Sequence, residues 1–330
     1  MSNKSNNNWT NWHHQLHKEI LQNEQFIPNG IKLLIAVSGG QDSMALLSLF
    51  EDMKDKHQWT IDVWHGNHQW HKASDVYAKG LSDFCLEKQI PFHVDTVNGD
   101  DVSTEEKARN WRYQKLCKKA SSLKNEKEEI YILTGHTSTD NVETFMLNLA
   151  RGSNYSGLKG IPKKRLLNNQ YFLVRPLLSF SREDTLEICK VLENPIWEDP
   201  TNSDIKLKRN LIRKNVLTNL EVIYPGCISR INRFIYKMNQ FNSERTDLCC
   251  LALNSCMTNN GLKKDIFNNL GLEARSTLLN AIFRKNSIKQ ISAKNIDSMS
   301  ERIAKSHKGQ INLPNGIKII WNKKFINLEN

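Results

Sequence analysis

Six consecutive residues constrain this chain most: Ser38-Gly39-Gly40-Gln41-Asp42-Ser43. A short apolar run, Leu33-Leu34-Ile35-Ala36-Val37, ends directly before them. Directly after them, Leu46, Leu49, Phe50 and Met53 recur at the spacing of one helix face. Strand, glycine loop and helix in that order open a βαβ unit, and so point to a parallel sheet. The two glycines let the backbone approach an anion closely and leave N–H groups free. The helix that follows adds unsatisfied donors and the positive end of its dipole. Ser38 and Ser43 offer hydroxyls to phosphate oxygens. Asp42 is an acid beside this cradle, an arrangement that a bridging divalent cation makes favourable. The string is neither the G-x-x-x-x-G-K-[ST] loop nor the G-x-G-x-x-G dinucleotide fingerprint.

The alternation continues. Ile61–His65 reads as a strand and Ala73–Lys88 as a helix; Phe92–Val97 is a third strand. Ser103 with Glu106 reads as a capping box opening the next helix. Ile130–Thr134 is a fourth strand and Asp140–Ala150 its helix. Tyr171–Leu178 reads as a later strand, and Ser181 with Asp184 starts another helix. At the front, Trp9, Trp12, Leu16 and Ile20 carry a helical spacing behind an Asn-rich start (Asn3, Asn6, Asn7, Asn8), which reads as a disordered tail. Beyond residue 206 helical patterns dominate. Near the end, Leu313-Pro314-Asn315-Gly316 separates two apolar runs and reads as a turn between short strands. The expected class is α/β: a parallel-sheet domain over 1–206 and a smaller, mainly helical, basic domain over 207–330.

Charge divides the chain at the same place. Residues 1–206 carry 25 Lys/Arg against 27 Asp/Glu, whereas 207–330 carry 21 against 8. A basic second half points to a polyanion, most often nucleic acid. The 330 residues are comfortable for two domains, and 39% hydrophobic content excludes global disorder. No stretch approaches 18 apolar residues, so a transmembrane protein is not expected. The first 30 residues lack both an apolar h-region and any Arg, so neither a secretory signal nor a transit peptide is expected. The seven Cys contain no C-x-x-C pair, against a disulfide framework or a Cys-rich zinc site. A reduced, cytoplasmic setting away from membranes is expected.

The six-residue loop resembles the SGGxDS loop of PP-loop ATP pyrophosphatases, whose fold is adenine nucleotide alpha hydrolase-like. That superfamily cleaves ATP between its α- and β-phosphates and places AMP on a substrate oxygen; a nitrogen or sulfur nucleophile then displaces it. Further motifs narrow the acceptor. His65-Gly66-Asn67-His68 with Ser74 follows the second strand, and Ala108-Arg109-Asn110-Trp111-Arg112-Tyr113 lies in the third helix. Gly135 to Thr144 runs GHTSTDNVET; Arg151-Gly152-Ser153 and Gly157-Leu158-Lys159-Gly160-Ile161 follow. Then come Val174-Arg175-Pro176-Leu177-Leu178, Trp197-Glu198-Asp199-Pro200-Thr201-Asn202, and Arg209-Asn210 with Arg213. In order and spacing these resemble the tRNA(Ile)-lysidine synthetase family from about residue 31 to 225. Beyond that the likeness is weak, and the chain has the length of the family's compact form.

The resemblance implies ATP and Mg2+ as cofactors and an isoleucine tRNA with a CAU anticodon as partner. It implies adenylation of the C2 oxygen of the wobble cytidine, then attack by the ε-amine of free L-lysine. It leaves a homodimer open. The ATP loop would be Ser38, Gly39, Gly40, Gln41, Asp42 and Ser43, with Asp42 and Asp140 at the metal. Asp140 and Glu143, at i,i+3 on one helix face, are candidates for the lysine ammonium. Arg112 is a candidate for charge on the α-phosphate, and His136 is a further site candidate. Arg209, Arg213 and Lys214 are the expected tRNA contacts, with bracing of the domain junction as the competing role for the two arginines. Thr137, Thr139 and Asn141 stand where the family usually has His, Asp and Gln, and His71 where it has Arg. One carboxylate fewer is therefore available for metal. Thiolating PP-loop enzymes are the nearest alternative, disfavoured by the missing C-x-x-C. A non-catalytic RNA-binding scaffold is the other.

Overall fold

A computed structural model describes residues 9–23, 26–97, 102, 104–125, 129–153, 157–197, 208–288 and 291–329. The Asn-rich start, Ser103 and Glu198–Asn202 lie outside the described residues. The chain forms two compact units, Met1–Tyr236 and Lys237–Asn330.

The first unit is built on a six-stranded sheet of order β3-β2-β1-β4-β6-β5. Its strands are β1 (Lys32–Ala36), β2 (Thr60–Asn67), β3 (Phe92–Thr96), β4 (Ile130–Thr134), β5 (Lys164–Leu167) and β6 (Tyr171–Val174). All neighbours are parallel except the β5–β6 hairpin. Helices α1 (Asn11–Gln22), α2 (Gln41–His57), α3 (Ser74–Glu87), α4 (Glu105–Leu123), α5 (Ser138–Ala150) and α6 (Arg182–Val191) accompany it. Strand alternation sorts the core into two layers. Leu33, Ile35, Tyr131 and Leu133 pack with Leu46, Leu49 and Phe50 of α2, while Leu34, Ile130 and Ile132 pack with Trp64 and Trp111. A sheet covered on both faces explains why β1 and β4 read as unbroken apolar runs.

Two expectations change. The strand expected over Tyr171–Leu178 stops at Val174 and gives way to a 3-10 turn, Pro176–Ser179. Pro176 has no N–H for a ladder, which ends the strand there. The expected boundary at 206/207 is also displaced. The helical segment α7 (Lys208–Leu211), a π-turn over Ile212–Leu217 and α8 (Thr218–Ile223) belong to the first unit, where the π-turn packs on α5. The division falls within the long helix α9 (Cys227–Cys256).

The second unit combines α10 (Lys264–Asn268), α11 (Leu272–Lys285) and α12 (Ala293–Lys305) with a five-stranded antiparallel sheet. Its strands are β7 (Met257–Thr258), β8 (Gly261–Lys263), β9 (Gly309–Asn312), β10 (Lys318–Trp321) and β11 (Phe325–Glu329). Leu262, Phe267, Leu279, Ile303, Ile319 and Trp321 centre its core. The Pro314-Asn315-Gly316 turn joins β9 to β10 as expected, with Asn315 at φ 64° and Gly316 at φ 80°. Among the described residues, no helix is long and apolar enough to cross a membrane.

Candidate active site at the carboxyl ends of the strands

β1 hands directly to the glycine loop. Gly39 sits at φ +89°, where L side chains are strained, and a Cβ there would stand 3.2 Å from the Trp197 ring. The Trp197 N–H donates to the Gly39 carbonyl at 3.0 Å, so this tryptophan backs the loop. Ser43 ties the turn from inside: its hydroxyl donates to the Gly40 carbonyl at 2.9 Å and accepts from the Ser38 N–H at 3.1 Å. Gly40 is the N-cap of α2 without a capping side chain, so the helix's first donors face the loop uncapped.

Asp42 lies in the first turn of α2 and is held by α6. Thr185 donates its hydroxyl to one Asp42 oxygen at 2.5 Å, and Arg182 sits 3.1 Å from the other. Gln41 turns away from the loop: its amide donates to the Arg182 carbonyl at 2.7 Å. Burial raises the Asp42 carboxyl above its ordinary value and the charge of Asp140 adds to this, against the opposing pull of Arg182. β4 lies beside β1, so its carboxyl end meets this turn. A Cβ on Gly135 would stand 2.8 Å from the Asp42 carbonyl, which leaves room there only for glycine.

Past Gly135 come His136 and α5. His136 Nδ1 lies 3.0 Å from the Thr134 hydroxyl. Burial, with Arg175, Arg209 and Arg112 nearby, pushes the imidazole far below its ordinary value despite the attraction of Asp140. The ring is therefore neutral at physiological pH. Thr137 caps α5, donating its N–H to Asp140 Oδ2 at 2.8 Å. The other Asp140 oxygen faces Arg209 at 3.1 Å and Arg213 at 3.3 Å. Burial would raise this carboxyl, but Arg209, His136, the Thr137 amide and Arg213 together hold it below the usual range.

Glu143 is fully buried, and both of its oxygens are taken. Arg209 Nε donates to Oε2 at 2.6 Å, Arg213 Nη2 donates to the same oxygen at 3.1 Å, and Arg213 Nε donates to Oε1. Two carboxylates on α5 and two guanidiniums from the segment after Lys208 thus form one compensated quartet. This revises the expectation for Arg209 and Arg213. Their charged groups brace the segment against α5 rather than standing out toward phosphate. Lys214, one residue on, is exposed. Arg112 is half-buried with its Nε unpartnered, and desolvation lowers its pKa.

The site therefore gathers the loop, Asp42, His136, Asp140, Glu143 and Arg112 at one rim of the sheet, where open α/β sheets bind ligands. A cleft of about 390 Å³ opens there, lined by Thr139, Arg182, Arg213, Leu217 and Glu221. Sequence reasoning missed Arg182 and Thr185, which grip Asp42; no spacing connects α2 to α6 across that interval. It also left Asn141 without a role. This residue accepts from the Ile161 N–H at 2.6 Å and donates to Asn232 at 2.7 Å, fastening the Gly157–Ile161 loop and α9 to α5. Gly160, at φ +65°, leaves room for it.

A parallel sheet whose first strand feeds an SGG loop beneath an uncapped helix defines a PP-loop, ATP-using domain. The PP-loop domain family model matches residues 11–220. The chain is 54% identical to the tRNA(Ile)-lysidine synthase of Prochlorococcus marinus subsp. pastoris, over 99% of this chain and 98% of that one. It is 39% identical to the enzyme of that name from the NATL1A strain, over 96% and 99%. The Nostoc enzyme of the same name is 37% identical over 64% of this chain and 60% of its own. Among solved structures, the U34-tRNA thiolase NcsA of Methanococcus maripaludis superposes with a TM-score of 0.57 at 18% identity, covering 68% of this chain and 76% of that one. That likeness concerns the fold alone. The chain belongs to the tRNA(Ile)-lysidine synthase family of PP-loop enzymes.

Proposed function

We propose that this enzyme converts the wobble cytidine of an isoleucine tRNA with a CAU anticodon to lysidine, using ATP and free lysine. The observation that carries the reading is the juxtaposition of an uncapped phosphate loop with the Asp42–Asp140 pair at one rim. Adenylation of an oxygen needs donors for the polyphosphate and relief of charge on the α-phosphate. The loop of Ser38, Gly39, Gly40, Gln41, Asp42 and Ser43 would provide the first, through the N–H groups of Gly39, Gln41 and Asp42, with the other three N–H groups holding the turn. Arg112 provides the second.

Asp42 and Asp140 suit a magnesium ion. Mg2+ is commonly bound by one or two carboxylates together with substrate phosphates. Here burial, with the charge of Asp140 adding to it, raises the Asp42 carboxyl above its ordinary value, and a cation bound between the two carboxylates would favour its ionised form. The ion would supply charge neutralisation along the polyphosphate. His136, kept neutral by burial and by its arginine neighbours, would accept a hydrogen bond from the attacking amine and orient it. The lysine ammonium would approach Asp140, whose side chain keeps 13% exposure beside Arg213, by joining the charges already gathered on its carboxylate. Glu143 is a positioning residue in this reading, because its oxygens already hold Arg209 and Arg213.

Incubation with ATP, labelled lysine and total tRNA, followed by nucleoside analysis, tests the proposal. Label is expected in a cytidine-derived nucleoside, together with pyrophosphate and AMP. Its absence from that nucleoside overturns the reading.

A further inference from the structure

A second group of cations lies farther along the same rim, around Tyr113. Arg175 directly follows β6 and is 1% exposed; its Nη2 lies 3.5 Å from the Tyr113 hydroxyl and its Nη1 donates to the Pro162 carbonyl at 2.7 Å. Arg165, from β5, places its guanidinium 4.9 Å from the Tyr113 ring centre, and Arg109 covers the ring at 5.5 Å. Arg112 is the neighbour of Tyr113 on α4. The Nε atoms of Arg112, Arg165 and Arg175 are buried without a hydrogen-bond partner. Among the described residues, no carboxylate comes within ion-pair distance of these four arginines. Burial would raise the Tyr113 phenol, yet Arg175, Arg109, Arg165 and Arg112 bring it down to about 8. Buried Nε–H groups without an acceptor, on guanidiniums that share no carboxylate, are costly, and the cost is recovered when an anion completes the group.

Position on the sheet indicates which anion. β1, β4 and β6 are consecutive neighbours, so Arg175 stands two strand spacings, about 10 Å, from the phosphate loop. His136 and Asp140 lie between them. ATP's polyphosphate is accounted for on the β1 side, and the cluster faces the acceptor side. We propose that Arg165 and Arg175, grouped with Arg109 around Tyr113, form a second phosphate site that holds a phosphodiester of the RNA substrate beside the reacting nucleotide. The proposal rests on the RNA-modifying reading above.

Arg165→Gln in the full chain is the informative variant, because the side chain is only half-buried. Its affinity for a stem–loop RNA bearing a CAU loop is measured across a salt series, beside its KM for ATP. The variant is expected to bind the RNA about tenfold more weakly. The log–log salt slope should be shallower by about 0.7, the contribution of one phosphate. KM for ATP should stay within about twofold. A second measurement needs no altered fold: the tyrosinate absorbance of the wild type is titrated with and without the stem–loop, Tyr113→Phe identifying the Tyr113 component. A bound phosphodiester raises that midpoint. An unchanged slope with an unmoved midpoint overturns the site. A raised KM for ATP with unchanged RNA binding assigns the cluster to ATP and overturns it equally. Wild type that binds no RNA overturns the functional reading itself, and the site with it.

Discussion

At Asp42 the chemistry proposed for the carboxylate and the demands of folding oppose each other. Its carboxyl titrates above the ordinary value of 3.8 because it is buried and faces Asp140. A raised folded pKa means a contribution to stability that is present at low pH and lost as pH rises through it, so at neutral pH the ionised carboxylate costs stability. Asp42→Asn should therefore keep or raise the melting temperature while pyrophosphate release falls by orders of magnitude. A variant that still adenylates tRNA at close to the wild-type rate would place the chemistry elsewhere. Glu143 is the opposite case. Glu143→Gln leaves Arg209 and Arg213 with one carboxylate between them, and should cost about 2–4 kcal/mol, somewhat less than breaking a fully buried pair because the guanidiniums keep partial access to water. Calorimetry reads that loss, and both half-reactions should fall together. Accumulation of adenylated tRNA in a stable variant would instead make Glu143 a lysine contact. These residues also mark how far sequence carried. The loop was legible because its chemistry is contiguous, and Asp140 and Glu143 because one helix turn separates them. Their guanidinium partners were visible in a motif with two competing roles, phosphate contact or bracing, because charge on a helix looks the same whether it meets phosphate or a buried carboxylate. Tyr113 was legible only as the end of the Ala108–Tyr113 motif, since its environment is assembled from α4, β5 and the end of β6.

Elements were legible where local pattern and burial agree. β4 was read over Ile130–Thr134 as it stands, because a central parallel strand is apolar on both faces. β5, half-exposed and polar at Lys164 and Arg165, carries no such pattern and was missed. The helix from Trp9, Trp12, Leu16 and Ile20 was read correctly, but not what fastens it. α1 docks on α2 through histidines: His17 Nδ1 lies 3.0 Å from His57 Nε2, and His13 Nε2 lies 3.1 Å from Asp52. His57 stacks on Trp59 at 4.1 Å between ring centres, and its Nδ1 lies 2.7 Å from Asn29 Oδ1. Burial, then His17 and Lys56, lower His57 from 6.5 to about 4, and burial with Lys56 and His14 lowers His17. Here the unfolded chain takes up protons before the folded one. Stability is full above the unfolded value of 6.5 and is lost as pH falls from there toward about 4. The expected loss from His57 is roughly 2–3 kcal/mol. Melting temperature should drop steeply between neutral pH and that value, and less steeply in His57→Gln, whatever that variant's own stability. Parallel profiles for the two proteins would remove His57 as the cause.

At the scale of the whole molecule, charge and compactness divide the chain at different points. Composition changes near residue 206, but the segment after Lys208 supplies the two guanidiniums that compensate Asp140 and Glu143, so it folds with the PP-loop unit. A boundary drawn from charge counts residues by sign; a boundary drawn by packing follows where each charge is spent. The second unit, Lys237–Asn330, still carries 15 Lys/Arg against 7 Asp/Glu, with none of the ion pairs of the active site. Two truncations separate these ideas. A chain ending at residue 206 loses Arg209 and Arg213, leaving the buried Glu143 carboxyl without its partners. Several kcal/mol is a large part of a domain's stability, so this fragment should aggregate or melt far below the full chain. A chain ending at residue 236 keeps the quartet and should fold cooperatively and bind ATP as the full chain does. Removing the second unit should also flatten the salt dependence of tRNA binding, since each lost phosphate contact takes about 0.7 from the log–log slope on single strands. The shorter fragment folding as well as the longer would refute the bracing role of Arg209 and Arg213. The longer one binding tRNA with the full salt slope would place every phosphate contact within the first 236 residues, with the Tyr113 cluster first among the candidates.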